Sequence, residues 1–378
     1  MLLFRSCGFF LSFNTLMDLN YKRIVIKIGS NVLTKEDGFP DLERIAHIVE
    51  QIAAIKRQGK EVILVSSGAV ASGRGALSVS DRFDAVATRQ LYAAIGQVKL
   101  INTYSDLFEK RKLTCAQVLV TREDFRDRLH YLNMKNCFSI LMQHNVVPIV
   151  NENDVISVTE LMFTDNDELA GLIASMLNAD ALIILSNVDG IFNGDPKDPS
   201  SEVIKEIQPG FTNFSSFISA QKSQFGRGGM ITKSTMAAKV AQMGIAVHIA
   251  NGKTENVLLK LLEQNVINSR FIPSGNPSGK KRWIANSANY AKGVVRINEG
   301  ARQALLSSKA SSLLFVGVVA IEKEFLKGDV IRIVDENQHQ VGFGIAEYSS
   351  DKAASLIGQK RQRPLVHYDY LFLNPENS

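Results

Sequence analysis

From residue 23 onward, short apolar runs alternate with stretches in which apolar residues recur every three to four positions. The runs "RIVIKI" (23–28), "EVILV" (61–65), "CAQVLV" (115–120), "VVPIV" (146–150), "ALIILS" (181–186) and "AVHIA" (246–250) read as strands. Such continuous runs suit strands buried on both faces. Helical patterns over 41–59, 85–111, 131–144 and 167–177, and another after Lys233, lie between them. Strand and helix in alternation predict an α/β fold: a three-layer αβα sandwich with a mainly parallel central sheet. The segment 151–165 breaks the rhythm and reads as a hairpin or a substrate loop.

The texture changes around "INSRFIPSGNPSG" (267–279), whose polar, Pro-, Gly- and Ser-rich character reads as an interdomain linker. Beyond it come "GVVRI" (293–297), "SSLLFVGVVAIE" (311–322), "DVIRIVD" (329–335) and "QVGFGIAEY" (340–348), short strands with little helix beyond 299–307. This predicts a small β-rich module. The expected division is an extension at 1–20, an α/β domain at 21–266, a linker at 267–279, the β-rich domain at 280–364 and a tail at 365–378. A chain of 378 residues with 45% hydrophobic residues has material for two cores.

Charge narrows the picture only a little. The net +5 is modest, but residues 274–378 hold 14 Lys and Arg against 10 Asp and Glu, so the basic excess is C-terminal. Cys7, Cys115 and Cys137 have no metal-ligand spacing and leave an odd thiol, which points to a reducing, cytoplasmic setting. Arg5 interrupts the apolar start and no small-residue cleavage site precedes Tyr21, so an over-extended start ahead of Met17 is favoured over a secretion signal. No run approaches the roughly 20 apolar residues of a membrane span.

In an open α/β sheet, ligands bind beyond the carboxyl ends of the strands. The residues there are small and polar: Lys27 and Gly29 after the first strand, "SSGAVASG" (66–73) after the second, "NENDVIS" (151–157) and "TDNDELAG" (164–171) after the fourth, and "SNVDGIF" (186–192) after the fifth. Singly, each has an ordinary structural reading: a solvated lysine, a capped turn, an acidic helix start, a hairpin. "FGRGGMITKSTMAAKVAQMG" (225–244) puts glycines and a lysine at a helix start, where free N–H groups suit an anion. It lacks the G-x-x-x-x-G-K-[ST] spacing, because Met-Ile-Thr separates Gly229 from Lys233. Together, two lysines, glycine turns and carboxylates are the parts of a phosphoryl-transfer site.

In this order, "KIGSNVLT", "VSSGAVASGR", "VPIVNENDVIS", "TDNDELAGLIA", "LSNVDGIF" and "GRGGMITKSTMAAKVAQMG" closely resemble the amino acid kinase family, in its glutamate 5-kinase branch. The resemblance spans about residues 22–265. "GKKRWIANS", "GVVRINEGARQALL", "SSLLFVGV" and "FLKGDVIRIVDENQHQVGFGIAEYSSD" resemble a PUA domain.

The resemblance implies transfer of the γ-phosphoryl of ATP, with Mg²⁺, to the side-chain carboxylate of L-glutamate, the first step toward proline. Lys27 and Lys233 would neutralise the moving phosphoryl group, with Asp167 holding both lysines. Gly29, Gly228 and Gly229 would offer N–H groups to phosphates. Ser67, Asp154 and Asn166 would bind glutamate. Ser186, Asn187 and the run Arg227, Gly228, Gly229, Met230, Ile231, Thr232, Lys233 fall where the family contacts ATP, along with Lys27 and Gly29. No metal ligand is assigned. Many relatives have Thr-Asp in place of Ser186-Asn187 and Thr in place of Arg227, which bears on nucleotide affinity.

The resemblance further implies a homo-oligomer, dimer or tetramer, through the kinase domains, feedback inhibition by proline, and a working partnership with glutamyl phosphate reductase. PUA modules are associated with RNA, but here a structural or regulatory role is favoured, since only "KKR" (280–282) and "KRQR" (360–363) are densely basic. The competing readings are another amino acid kinase, acting on acetylglutamate, aspartate, carbamate or UMP, and an RNA-binding protein whose kinase half is a scaffold.

Overall fold

The computed structural model describes residues 19–75, 77, 84–156, 163, 165–196, 198–211, 214, 229–274, 284, 291–307 and 311–373. The strands of the first sheet are β1 (Arg23–Ile28), β2 (Glu61–Ser66), β3 (Cys115–Val120), β4 (Val147–Glu152), β5 (Ala181–Ser186), β6 (Glu206–Ile207), β7 (Ala246–Asn251) and β8 (Asn268–Phe271). Their order is β3-β4-β2-β1-β5-β7-β8-β6, parallel throughout except where β8 runs against β7.

Alternation along each strand sorts the apolar side chains onto two faces. Val25, Val65, Val150, Ile184 and Ile249 join one core, while Ile26, Leu64, Ile149, Leu185 and Ala250 join the other. The first core is closed by α6 (Arg128–Gln143), α7 (Asn166–Leu177) and α8 (Met230–Gln242). The second is closed by α2 (Leu42–Arg57), α4 (Ala85–Glu109) and α9 (Val257–Leu262). Three layers result, as the periodicity predicts. Short helices α1 (Ser30–Leu33), α3 (Ala69–Arg74) and α5 (Glu123–Arg126) follow β1, β2 and β3 directly.

The C-terminal sheet has the order β10-β9-β11-β12-β13, built from β9 (Gly293–Ile297), β10 (Val318–Lys323), β11 (Val330–Val334), β12 (Gln340–Ile345) and β13 (Leu371–Leu373). It encloses its own core around Val295, Phe315, Ile331 and Val366. Helix α10 (Glu299–Leu306) is capped by Asn298, whose side chain accepts from the Ala301 N–H.

Several segments depart from the sequence reading. Within the expected tail, Leu365, Val366 and Leu371 join the C-terminal core and residues 371–373 pair with β12 as β13, because apolar side chains there complete that domain. Residues 268–271, within the expected linker, form β8, in which Ser269 and Phe271 turn inward. The polar letters disguise this: buried Ser269 Oγ donates to the Ile204 carbonyl and accepts from the Ile191 N–H, so its polarity is satisfied inside the sheet. The β-rich module also holds α11 (Ser350–Leu356), where only Ser350 and Ala353 are buried, too short an apolar stripe to show as a helix in sequence.

Candidate active site

The carboxyl ends of β1, β2, β4 and β5 open onto one cavity of about 550 Å³. Lys27, Gly29, Ser67, Asp154, Asn166, Asp167, Ser186, Asn187 and Lys233 all line it, although they come from six separate stretches of chain.

At one end stands a buried charge cluster. Lys27 Nζ lies 2.7 Å from Asp167 Oδ1 and Lys233 Nζ 2.5 Å from Asp167 Oδ2, and none of the three is more than 7% exposed. Lys27 comes from β1, whereas Asp167 and Lys233 sit at the starts of α7 and α8. The two helices approach closely at Gly171, where a Cβ would fall 2.8 Å from Met236 Sδ. Asp165 caps α7, its Oδ1 accepting from the N–H groups of Asp167 and Glu168. Burial alone would raise the Asp167 carboxyl, but Lys233 and Lys27 override it and hold Asp167 well below the usual carboxylate range. Burial pushes Lys27 downward against the opposing pull of Asp167. Burial, reinforced by the neighbouring Asp167 charge, raises Asp165.

A polar network lines the same cavity. Asn166 Nδ2 donates to Ser67 Oγ at 2.8 Å and to Asn151 Oδ1 at 3.2 Å, tying the loop after β2 and the end of β4 to the start of α7. Gly68, at φ +106°, makes the sharp turn into α3. Buried Asp154 is held by Arg89 of α4, whose Nε and Nη2 both reach Asp154 Oδ1, at 3.1 and 2.5 Å. Glu152 Oε2 stands 3.9 Å from the same guanidinium.

A cavity lined by a lysine-clamped carboxylate and by an acid beside amides offers partners to both anionic and cationic groups. The model of the amino acid kinase family matches residues 22–251, and that of the PUA domain matches residues 293–367. A glutamate 5-kinase of Bacteroides thetaiotaomicron is 52% identical over 360 residues, covering 94% of this chain and 100% of the relative. One from Chlorobaculum tepidum is 51% identical over 356 residues, covering 94% and 98%. The chain belongs to the glutamate 5-kinase family.

Among solved structures, carbamate kinase from Giardia lamblia bound to AMP-PNP superposes with a TM-score of 0.50 at 21% identity, covering 67% of this chain and 99% of that one. That likeness concerns the fold.

Set against the glutamate 5-kinase pattern, two expected residues, Arg227 and Gly228, lie outside the described residues. Gly229, Met230, Ile231 and Thr232 form the N-cap and first turn of α8, beside Lys233, and are not in the cavity wall. Gly29 differs from expectation. Its N–H donates to the Leu185 carbonyl at 3.1 Å, because β1 is still paired with β5 there, so it is not a spare donor for a phosphate. Its missing side chain matters instead: a Cβ would stand 3.3 Å from the Leu185 oxygen and 3.6 Å from Lys27 Nζ.

Arg89, Asn151, Glu152 and Asp165 also line the cavity and were not singled out as site residues from sequence. Asp165 reads there as a helix cap, which it is; only the fold shows its Oδ2 buried with no hydrogen-bond partner among the described residues. Arg89 lies in a long helix with no motif around it, and nothing in its neighbours signals its reach.

Proposed function

We propose that the protein catalyses transfer of the γ-phosphoryl group of ATP to the side-chain carboxylate of L-glutamate, giving L-glutamyl 5-phosphate and ADP. The observation that carries the reading is Asp167 clamped between Lys27 and Lys233 at one end of the cavity. A glutamate side chain, with a reference pKa of about 4.3, is already ionised at neutral pH. A carboxylate oxygen forms the new bond to γ-phosphorus as the bond to the β–γ bridging oxygen breaks, and no proton has to move.

The obstacle is repulsion between two anions, so the catalytic groups are positive charges fixed in place. Asp167 holds both lysine head groups in place. Lys27 approaches the moving phosphoryl from the sheet side and Lys233 from the nucleotide side. The first turn of α8 points its N–H groups out of the helix start, and Gly229 provides no side-chain cap for them. Ser186 and Asn187, at the end of β5, face the nucleotide.

Magnesium in such sites takes one or two carboxylates and otherwise phosphate oxygens and water. Asp165 fits, its Oδ2 buried without a hydrogen-bond partner among the described residues. Among the described residues no group of three or more His, Cys, Asp or Glu forms a metal cage. When bound, the ion would neutralise phosphate charge.

Ser67, Asn166 and Asp154 would hold glutamate, with Asp154 accepting from its α-ammonium group. Assembly through the kinase domain belongs to the same reading and is supported by the exposed Val98, Leu129, Leu132 and Ile140 on α4 and α6. Inhibition by proline follows from placing the enzyme at the head of that pathway. Because acyl phosphates are labile, a partnership with the reductase that consumes the product follows too. A cytoplasmic setting agrees with the free thiols of Cys115 and Cys137. No helix among the described residues is long and apolar enough to cross a membrane.

The test is formation of glutamyl hydroxamate from ATP, Mg²⁺, L-glutamate and hydroxylamine. The wild type should give product, and Lys233→Ala should lower turnover by about 10²–10³. Product from another acceptor but none from glutamate would refute the assignment.

A further inference from the structure

We infer that Arg89 is the residue that selects the acceptor's α-carboxylate, so that Arg89 and Asp154 together read an amino-acid head group. This rests on the glutamate-kinase reading above and adds a residue to it.

Four cations among the described residues line the cavity: Lys27, Arg74, Arg89 and Lys233. The two lysines are committed to Asp167 at the phosphoryl end. The Arg74 guanidinium lies 6.0 Å from the centre of the Tyr92 ring, on the exposed rim. Arg89 alone among them is bonded to the carboxylate that suits the α-ammonium group, and its side chain is only 31% exposed.

A guanidinium has five N–H donors in a rigid fork, and Asp154 takes two of them through a single oxygen. Donors remain on the Nη atoms for a second carboxylate. Asp154 and Arg89 face each other in a partly dry wall, with the Glu152 carboxylate 3.9 Å from the same guanidinium. A lone ammonium or lone carboxylate entering there leaves one member of the pair poorly compensated, whereas a zwitterion presents both signs at once. The Asn166 amide hydrogens already go to Ser67 Oγ and Asn151 Oδ1, so the guanidinium is the cationic donor beside Asp154.

The geometry therefore discriminates L-glutamate from 4-aminobutyrate, which lacks the α-carboxylate. The test compares the two acceptors in the hydroxamate assay, with 4-aminobutyrate followed as a substrate or as a competitive inhibitor of glutamate. In Arg89→Met, kcat/KM for glutamate should fall about 10- to 100-fold, mostly through KM. The affinity for 4-aminobutyrate, whose lone ammonium leaves the guanidinium without a counter-charge, should not fall. Arg89→Lys, which keeps the charge and loses the fork, should fall between, and carries the comparison if the Met variant does not fold. Thermal stabilisation by ATP in each variant shows that the nucleotide end is intact.

An equal loss for both acceptors would mean that Arg89 only holds Asp154 in place, and no loss for glutamate would mean that it touches neither; each overturns the proposal. A wild type that makes hydroxamate from an acceptor other than glutamate overturns the glutamate reading as well, and so differs from failure of Arg89 alone.

Discussion

Asp167 is 1% exposed and holds two ammonium groups that are themselves buried. Removing the acid leaves like charges facing one another without a counter-ion, which costs far more than the net worth of the pairs. Asp167→Ala should therefore be both inactive and less stable by about 3–5 kcal/mol, read from urea denaturation at neutral pH. Because the folded carboxyl titrates below its unfolded value, its contribution is fully present above about pH 4 and is lost as pH falls through the depressed value. The gap between wild type and variant should accordingly stay constant from neutral pH down to that point and close only in stronger acid. At this scale the sequence was informative about Lys27, Asp167 and Lys233, which stand at recognisable places beside strand and helix ends. It was silent about Arg89, whose partner is 65 residues away along the chain.

The position of Arg89 is set by how two helices cross. A Cβ on Gly73 of α3 would fall 1.9 Å from the Tyr92 carbonyl oxygen, and one on Gly96 of α4 would fall 1.7 Å from the Ala69 oxygen. Backbone meets backbone there, and only glycine permits it. The same helix anchors the second loop of the site: the buried Tyr104 hydroxyl is hydrogen-bonded to Ser66 Oγ at 2.8 Å. Gly96→Ala should push α4 off α3, destabilise the protein by about 1–3 kcal/mol and raise KM for glutamate more than KM for ATP, measured by denaturation and steady-state kinetics. The periodicity of α4 was visible in the sequence, as were the main strands. The meaning of Gly73 and Gly96 was not, since a glycine in a helical pattern looks like a weak spot until its neighbour is known. β8 and α11 escaped for a related reason: short elements carry too few apolar positions to show a period.

Over the whole molecule, the core on the α6–α8 side of the first sheet does not stop at that sheet. It continues through Ile284 into Val330, Phe343 and Ile345 of the second sheet, all buried. A shared apolar cluster couples the two units as they unfold. The wild type should therefore show one calorimetric transition. Phe343→Ala should remove about 3 kcal/mol or more from it, and separation into two transitions would locate the coupling at this contact.

The order of strands and helices, and the kinds of residue placed at strand ends, were determined by the sequence alone, because periodicity and backbone preference are local properties. Which of those residues share a cavity was decided only in three dimensions. Lys27 and Lys233, 206 positions apart, meet on one carboxylate because β1 and α8 both pack against α7. Arg89 reaches Asp154 because two glycines let α4 close on α3. Such contacts depend on how closely elements pack, and packing distance is a property of pairs that no single stretch of chain contains.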